Sequence, residues 1–552
     1  LDLLEKSVSK SKLEKDIKRI MGDSFSSVVM KENKISITQV DEEINQIHKM
    51  AMLFSIVFIL LSILSIYTTM SRLISNQMVQ IGTLKSLGFY DRQIYFHYGA
   101  YGFLVAIIGS LVGVIFGYTV VANLVMNIKK ATLTLPIWKK SFGIDSIILI
   151  VLIVTVCTLA AIITTRKVIK NNPSFTIKGM LDKKSSGPGI YKRSRLSYDW
   201  LWTLRSIRIH PIRTFMSITA IVGSIVLMVA GLGVWDSLYS SYQDVYNNEF
   251  CYKYIGQVYG ESYNNLSRKF NSFDVQFAQS ETADFSFHGI EKSGSLLVLD
   301  SGDKIRIFDA KSKKKIRIEK DEVAIASQLA EKLDLKVGDK IAYKTKSSLN
   351  EHRVTVTAIV DAKMPQGIFI YKDKVKNFEP NTIYIGDSEA YEQAKKEESI
   401  SNIISIKKQQ DNMKEMMDSV HSIMYILIVA AFVLSVVILY NLGILSYLER
   451  YREYATMKVI GFKHSEIMGM VFKESVLNLL TGFVIGIPLS KQFLKLYIRV
   501  VSMDSMEWTP IITKDHFLIV IFCVIGFSVL VNLVVSMRIR KINMVEALKS
   551  IE

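Results

Sequence analysis

Seven uncharged apolar runs constrain this chain more than anything else in it: about 50–70 (MAMLFSIVFILLSILSIYTTM), 99–126, 146–165, 214–235, 422–446, 475–490 and 517–537. Roughly 20 apolar residues, at about 1.5 Å each, cross the ~30 Å hydrocarbon layer of a bilayer, and most of these runs have that length. The 475–490 run is short, but its flanks FK-ES and KQFLKLYI allow a longer helix with snorkelling ends. Any single run also fits a buried helix of a soluble core. Seven together point to a polytopic α-helical membrane protein, because only a helix satisfies its own backbone in lipid. No ionisable side chain interrupts the seven cores, which disfavours a proton-coupled secondary transporter.

The chain also carries 68 Lys and Arg against 51 Asp and Glu, a net charge of +17. Where that surplus lies decides its meaning. The connection 166–213 holds twelve basic residues against Asp182 and Asp199, which marks it as cytoplasmic by the positive-inside bias. Counting spans outward puts 71–98, 447–473 and the C-terminus inside, with 1–49 and 236–421 outside. Lys129, Lys130, Lys139 and Lys140 lie in an outer loop and run against this assignment. Residues 236–420 hold 27 basic and 29 acidic residues, so no nucleic-acid partner is expected there. Seven spans after an external N-terminus suggest a further span before Leu1, giving two sets of four.

The decamer QIGTLKSLGF (80–89) has a second copy, EYATMKVIGF (453–462), 373 positions later. Thr83, Lys85, Gly88 and Phe89 answer to Thr456, Lys458, Gly461 and Phe462. His48 and His421 share the offset, as do Ile94 and Ile467, and Gly109 and Gly113 with Gly482 and Gly486. With a slipped offset, KNNPSFTIKG (170–179) echoes KINMVEALKS (541–550). This is an internal duplication. Each decamer reads as a short helix ending at Leu87 or Ile460, with the glycine able to take a left-handed conformation. A new helix then begins near Asp91 or Ser465, both residues suited to an N-cap. The same pattern, taken once, fits an ordinary interfacial helix; its repetition at matching places favours docking to a partner. The paired glycines permit close helix approach.

These residues carry a resemblance. The chain resembles the FtsX/MacB-type permeases of ABC transporters in their duplicated form, with an "-E-I-G-T-L-K/R-A-L-G-" segment after the second span of each unit. LSYDWLWTLRSIRIHPIRTFMSITAIVG (196–223) is similar to the family's basic entry into a unit, and MVEALK to its terminal "-P-x-E-A-L-R-". Gln80 stands where Glu453 keeps the usual acid, and PSFTIK replaces the first "PxEALR". The resemblance implies ATPase-coupling roles, partner-facing or shape-setting, for Thr83, Lys85, Gly88, Phe89, Glu453, Thr456, Lys458, Gly461 and Phe462, and helix packing for Gly109, Gly113, Gly482 and Gly486. It implies a partner ABC ATP-binding subunit in two copies that holds the ATP and Mg, a bacterial cytoplasmic membrane, and contact with membrane lipid.

The expected organisation is an extracytoplasmic remainder and stalk (1–49), a first FtsX-like unit of three spans (50–165), a basic linker (166–213), the first span of the second unit (214–235), an extracytoplasmic α+β domain (236–420) and a second unit of three spans (421–552). In 236–420, DEVAIASQLAEKLDLKVGDKIAYKT reads as strand, helix capped near Ser327, turn at Val337-Gly338-Asp339, and strand. HRVTVTAIV (352–360) alternates as one half-buried strand, and IFIY and NTIYIG add two more. KSKKKIRIEK (311–320) is a basic patch or a solvated hairpin tip. DNMKEMMDSVHSIM (411–424) and DEEINQIHKM (41–50) read as helices leading out of the membrane.

Chemistry of its own is not visible. The sequence has no G-x-x-x-x-G-K-[ST], no metal-ligand spacing among its eight His and three Cys, and no nucleophile elbow. The expectation is a non-catalytic membrane subunit that couples ATP hydrolysis on a separate chain to export or extraction of a peptide, lipoprotein or amphiphile. A signal relay that controls an external cell-wall enzyme or senses a peptide, without moving substrate, is the alternative. A membrane-anchored binding protein without any ATPase is a third reading, against which the duplicated motif argues.

Overall fold

The seven apolar runs all lie in helices of the computed structural model, which describes residues 17, 19–20, 35–132, 137–170, 198–209, 211–318, 322–345, 351–375, 378–502 and 505–540. PSFTIK, MVEALK and the centre of the basic linker fall outside the described residues. The chain divides into two units: residues 1–50, 237–418 and 498–509 form one, and 51–236, 419–497 and 510–552 the other.

The second of these holds the membrane helices. In chain order they are α1 (Ile35–Asn76), α2 (Met78–Ser86), α3 (Asp91–Phe116), α4 (Ala122–Thr132), α5 (Ile144–Ile169), α6 (Tyr198–Ile209) and α7 (Pro211–Asp244). A π-helical turn, Gly117–Val121, joins α3 to α4. Near the C-terminus come α11 (Ile406–Glu449), α12 (Tyr451–Val459), α13 (His464–Val501) and α14 (Lys514–Arg540). The first copy is therefore α1, α2, α3 and α5, and the second α11, α12, α13 and α14. Each copy has an irregularity near the same level: the π turn that follows α3, and Pro488 in α13, 373 positions after Ile115 in the last turn of α3. Both loosen the regular hydrogen-bond ladder there.

α7 is the most enclosed span, with 67% of its apolar window buried against 6% for α3. Its glycines explain how neighbours come so close. A Cβ on Gly223 would stand 2.6 Å from Leu61 of α1, on Gly231 2.3 Å from Ile428 of α11, and on Gly233 2.6 Å from Leu494 of α13. Small residues at such crossings let apolar side chains of one helix seat on the backbone of another. The exposed Leu, Ile, Val and Phe of the remaining spans are what lipid-facing surfaces require.

The other unit is α+β. Its strands are β1 (Tyr254–Val258), β2 (Val275–Phe287), β3 (Ile290–Leu299), β4 (Ile307–Phe308), β5 (Lys315–Ile316), β6 (Val323–Ala326), β7 (Lys340–Thr345), β8 (Glu351–Thr355), β9 (Ala358–Val360), β10 (Gly367–Tyr371), β11 (Thr382–Ile385) and β12 (Ile400–Ser405); its helices are α8 (Tyr263–Lys269), α9 (Ser327–Leu333) and α10 (Ser388–Lys396). Ten strands form one sheet in the order β12-β1-β11-β2-β3-β10-β6-β9, with β7 paired to β2 and β8. β10 runs parallel to β3 and β6 parallel to β9; the other pairs are antiparallel. Period-2 alternation sends Val323, Ile325, Ile368 and Ile370 to one buried face and Ala324, Ala326 and Phe369 to the other. The sheet is thus covered on both sides, and β6 and β10 read as continuous apolar runs for that reason.

Two local readings change, and for a third one of its two alternatives holds. HRVTVTAIV is two strands, β8 and β9, with different partners. The N-cap of α9 is Ala326 rather than Ser327, whose hydroxyl donates instead to Glu507 Oε2 at 2.8 Å. KSKKKIRIEK contributes a hairpin tip between β4 and β5, with Lys313 at φ 55 and paired to Asp361. The stretch after α13 is stitched into this unit: the Glu507 N–H donates to the Lys363 carbonyl at 2.9 Å, and Gln328 Nε2 to Ser502 Oγ at 2.7 Å.

Candidate functional site: a helix exit built twice

α2 and α12 are nine-residue helices that end in the same set of bonds. In the first copy Leu87 N–H donates to Thr83 O (3.0 Å), Gly88 N–H to Lys85 O (3.1 Å) and Phe89 N–H to Leu84 O (3.1 Å). In the second, Ile460 donates to Thr456 (3.0 Å), Gly461 to Lys458 (3.1 Å) and Phe462 to Met457 (3.0 Å). The last two bonds of each set are a Schellman closure, which satisfies carbonyls that a helix end otherwise leaves open. It requires a left-handed residue at the glycine, and Gly88 (φ 91) and Gly461 (φ 103) supply it. This explains the Lys-x-x-Gly-Phe spacing: the glycine turns the chain, and the Phe N–H that follows closes on the carbonyl of Leu84 or Met457.

The next helix starts at Asp91 or His464, so the residue before it, Tyr90 or Lys463, stands one position ahead of Asp91 and two ahead of Ser465. The Tyr90 N–H donates to Gln93 Oε1 at 3.0 Å, and the Lys463 N–H to Glu466 Oε2 at 2.8 Å. A side chain at the third helical position thus reaches back to the cap residue in both copies. Asp91 lies instead 3.4 Å from the Lys85 ammonium.

Lys85 and Lys458 turn inward. Lys85 Nζ donates to the carbonyl of Ile169 at 2.5 Å, and Lys458 Nζ to that of Arg540 at 3.3 Å. Both carbonyls stand at the end of the last span of their own copy, so each lysine caps a helix C-terminus and places its charge against the negative end of the helix dipole. The exposed stripe is made by other residues: Val79, Gln80, Thr83 and Leu87 on α2, and Glu453, Thr456, Val459 and Ile460 on α12. Leu87 and Ile460, equivalent positions both 71% exposed, are the large apolar side chains that motif reading passed over. Phe89 is about half exposed and Phe462 partly buried.

The helix-packing glycines part company. A Cβ on Gly482 would lie 2.5 Å from Ile221 Cγ2 and one on Gly486 2.8 Å from Ile225 Cδ1, so both press on α7. Gly109 and Gly113 meet nothing within 4 Å among the described residues.

A second feature has no trace in the motif. Arg450, the residue that caps the start of α12, is 1% exposed, and its Nη1 lies 2.7 Å from Glu474 Oε2 on α13. Arg213, at the foot of α7, reaches Glu474 Oε1 at 3.0 Å, and the Ser206 hydroxyl on α6 donates to Oε2 at 3.2 Å. The Arg450 guanidinium stacks 4.9 Å from the Trp202 ring centre. One turn along α12, burial pushes the Tyr454 phenol above its ordinary pKa. The apolar run begins at Ser475, so Glu474 reads as a flanking charge; its two arginines come from 24 and 261 residues away.

Comparison with known proteins agrees with this duplication. A family model described as FtsX-like permease C-terminal matches residues 52–173 and again 425–544. The two matches start 373 residues apart and end 371 apart, the offsets that relate Lys85 to Lys458 and Ile169 to Arg540. A search of curated proteins found no match. Seven helices long and apolar enough to span a membrane, two matches to one permease domain and an α+β region between them in sequence give this chain the organisation of a duplicated FtsX-like permease, a family whose members are multi-pass membrane subunits of ABC transporters and associate with an ATP-binding subunit.

Proposed function

We propose that α2 and α12 are coupling helices, each docking on one of two copies of the ATP-binding subunit at the cytoplasmic face, and that the chain passes their movement outward as mechanical work. The cargo class is a peptide, lipoprotein or amphiphile handled from the outer side, and ATP and Mg stay with the partner. The observation that supports this reading is the bond-for-bond repetition of the helix exit, with an exposed aliphatic side chain at the same point of each copy. A rigid turn with an exposed knob transmits force where a fraying helix end would not. The uninterrupted α11, whose 44 residues far exceed what the ~30 Å bilayer core requires, suits a stalk. The basic connection before α7 supports a cytoplasmic position for both coupling helices and the C-terminus, in a bacterial cell membrane.

Purification from native membranes in mild detergent, with ATP hydrolysis assayed on what co-purifies, tests this. Leu87→Asp with Ile460→Asp is expected to lose the ATP-binding subunit while the chain still inserts. Retention of the subunit and its ATPase in that double variant would overturn the docking assignment. Substrate-stimulated hydrolysis supports transport; stimulation only by an external protein would move the function to a signal relay.

A further inference from the structure

We propose that Arg450, Glu474 and Arg213 are positioning residues that lock the second coupling helix to α7, and that the first coupling helix has no such lock, so the two copies respond unequally to the ATP-binding subunits. This rests on the coupling role argued above. Glu474 accepts a hydrogen bond from the buried Arg213 guanidinium at the foot of α7 and is ion-paired at 2.7 Å with the buried Arg450 guanidinium at the start of α12. A carboxylate held between two buried cations from different helices ties both helices to α13, since separating either pair leaves a buried charge without its partner. α7 in turn seats α1, α11 and α13 on its glycines, so whatever moves α7 moves the middle of the bundle.

The duplication supplies an internal control. At the 373 offset, Gln77 stands for Arg450 and Tyr101 for Glu474, so the first copy has no charge at either place. The neighbouring helix crossing differs in the same sense. In the first copy Gly102 packs on Ala161, where an added Cβ would come within 2.5 Å. In the second, the equivalent pair is Ser475 and Asn532, joined by a 2.8 Å hydrogen bond. They line a cavity together with Arg213, Glu474, Asn478 and Ser528. The first copy is a close-packed apolar crossing, and the second is a hydrogen-bonded one beside the Arg213–Glu474 ion pair.

The test uses the full complex in nanodiscs, with spin-label pairs at Val459 and Phe215 (α12 to α7) and at Ser86 and Val459 (α2 to α12). The expected result is an α12–α7 distance that stays fixed on adding a non-hydrolysable ATP analogue, while α2–α12 shifts by a few ångströms. Glu474→Gln should make the α12–α7 distance nucleotide-dependent and lower substrate- or partner-stimulated ATPase several-fold; Tyr101→Phe should change neither. If Glu474→Gln does not assemble, Arg450→Lys, which keeps the charge but not the fork, is expected to broaden the α12–α7 distance. A wild-type α12–α7 distance that already changes with nucleotide, or one that Glu474→Gln and Arg450→Lys both leave unmoved, would overturn the lock. An α2–α12 distance that never responds to nucleotide would instead sink the coupling reading itself.

Discussion

Gly461 shows how much of the candidate site rests on one backbone angle. At φ 103 it occupies a region that a β-branched residue enters only with strain. No side chain crowds it, since a Cβ there would meet nothing within 4 Å. Gly461→Val is therefore expected to cost about 1–3 kcal/mol through the backbone alone, opening the Schellman closure. Membrane insertion should be normal and ATPase stimulation reduced; Gly461→Asn, which tolerates the left-handed region better, should be closer to wild type. Normal stimulation in the valine variant would count against a rigid exit. At this scale the glycine turn was readable, because the glycine and its two bonds lie within six residues of one another, while the caps fell to Gln93 and Glu466 rather than to Asp91 and Ser465. The lysines were not: Lys85 meets a carbonyl 84 positions away and Lys458 one 82 away, and nothing local specifies that.

Among helices, equal sequence does not bring equal packing. Gly482 and Gly486 seat Ile221 and Ile225 of α7, while Gly109 and Gly113 touch none of the described residues. Gly482→Leu is expected to lose about 1–3 kcal/mol from overpacking against α7. Thermal unfolding of the detergent-solubilised variant beside the wild type measures this, and an unchanged melting point would refute the seating on α7. The buried arginines follow the same logic. Taking away one partner of a buried ion pair commonly costs about 3–5 kcal/mol, so Glu474→Leu alone should be far more harmful than any flanking charge in the chain.

At the scale of the molecule, the α+β unit holds its own charge network. Lys363 Nζ lies 2.7 Å from Asp361 Oδ1 and 3.5 Å from Glu507 Oε1, and Lys313 pairs with Asp361 from the hairpin tip. Burial would raise the Asp361 pKa, but the two lysines outweigh it and hold the carboxyl below its ordinary value. A depressed folded-state pKa contributes stability that is complete above the ordinary carboxylate range and is lost as pH falls through the depressed value. Protection of amides across β9 and β10, measured relative to the intrinsic exchange rate at each pH, should therefore fall as the pH drops below about 4. Asp361→Asn should exchange faster at neutral pH and respond less to acid. An acid response unchanged in the variant would remove Asp361 from this account.

The sequence by itself determined the seven spans, their duplication, the glycine-turned helix exits and the alternating strands of the α+β unit. Each is set by chain-local physics: the lipid core demands about twenty apolar residues in a row, a left-handed turn demands glycine, and a two-sided sheet demands its own period. Only the tertiary structure decided which glycines carry contacts, that HRVTVTAIV breaks into two strands, and that Glu474 joins two arginines rather than flanking a span. Those outcomes depend on which helices meet. Among the described residues, α7 packs on the glycines of α13 while those of α3 meet nothing, and no pattern local to either copy announces that difference.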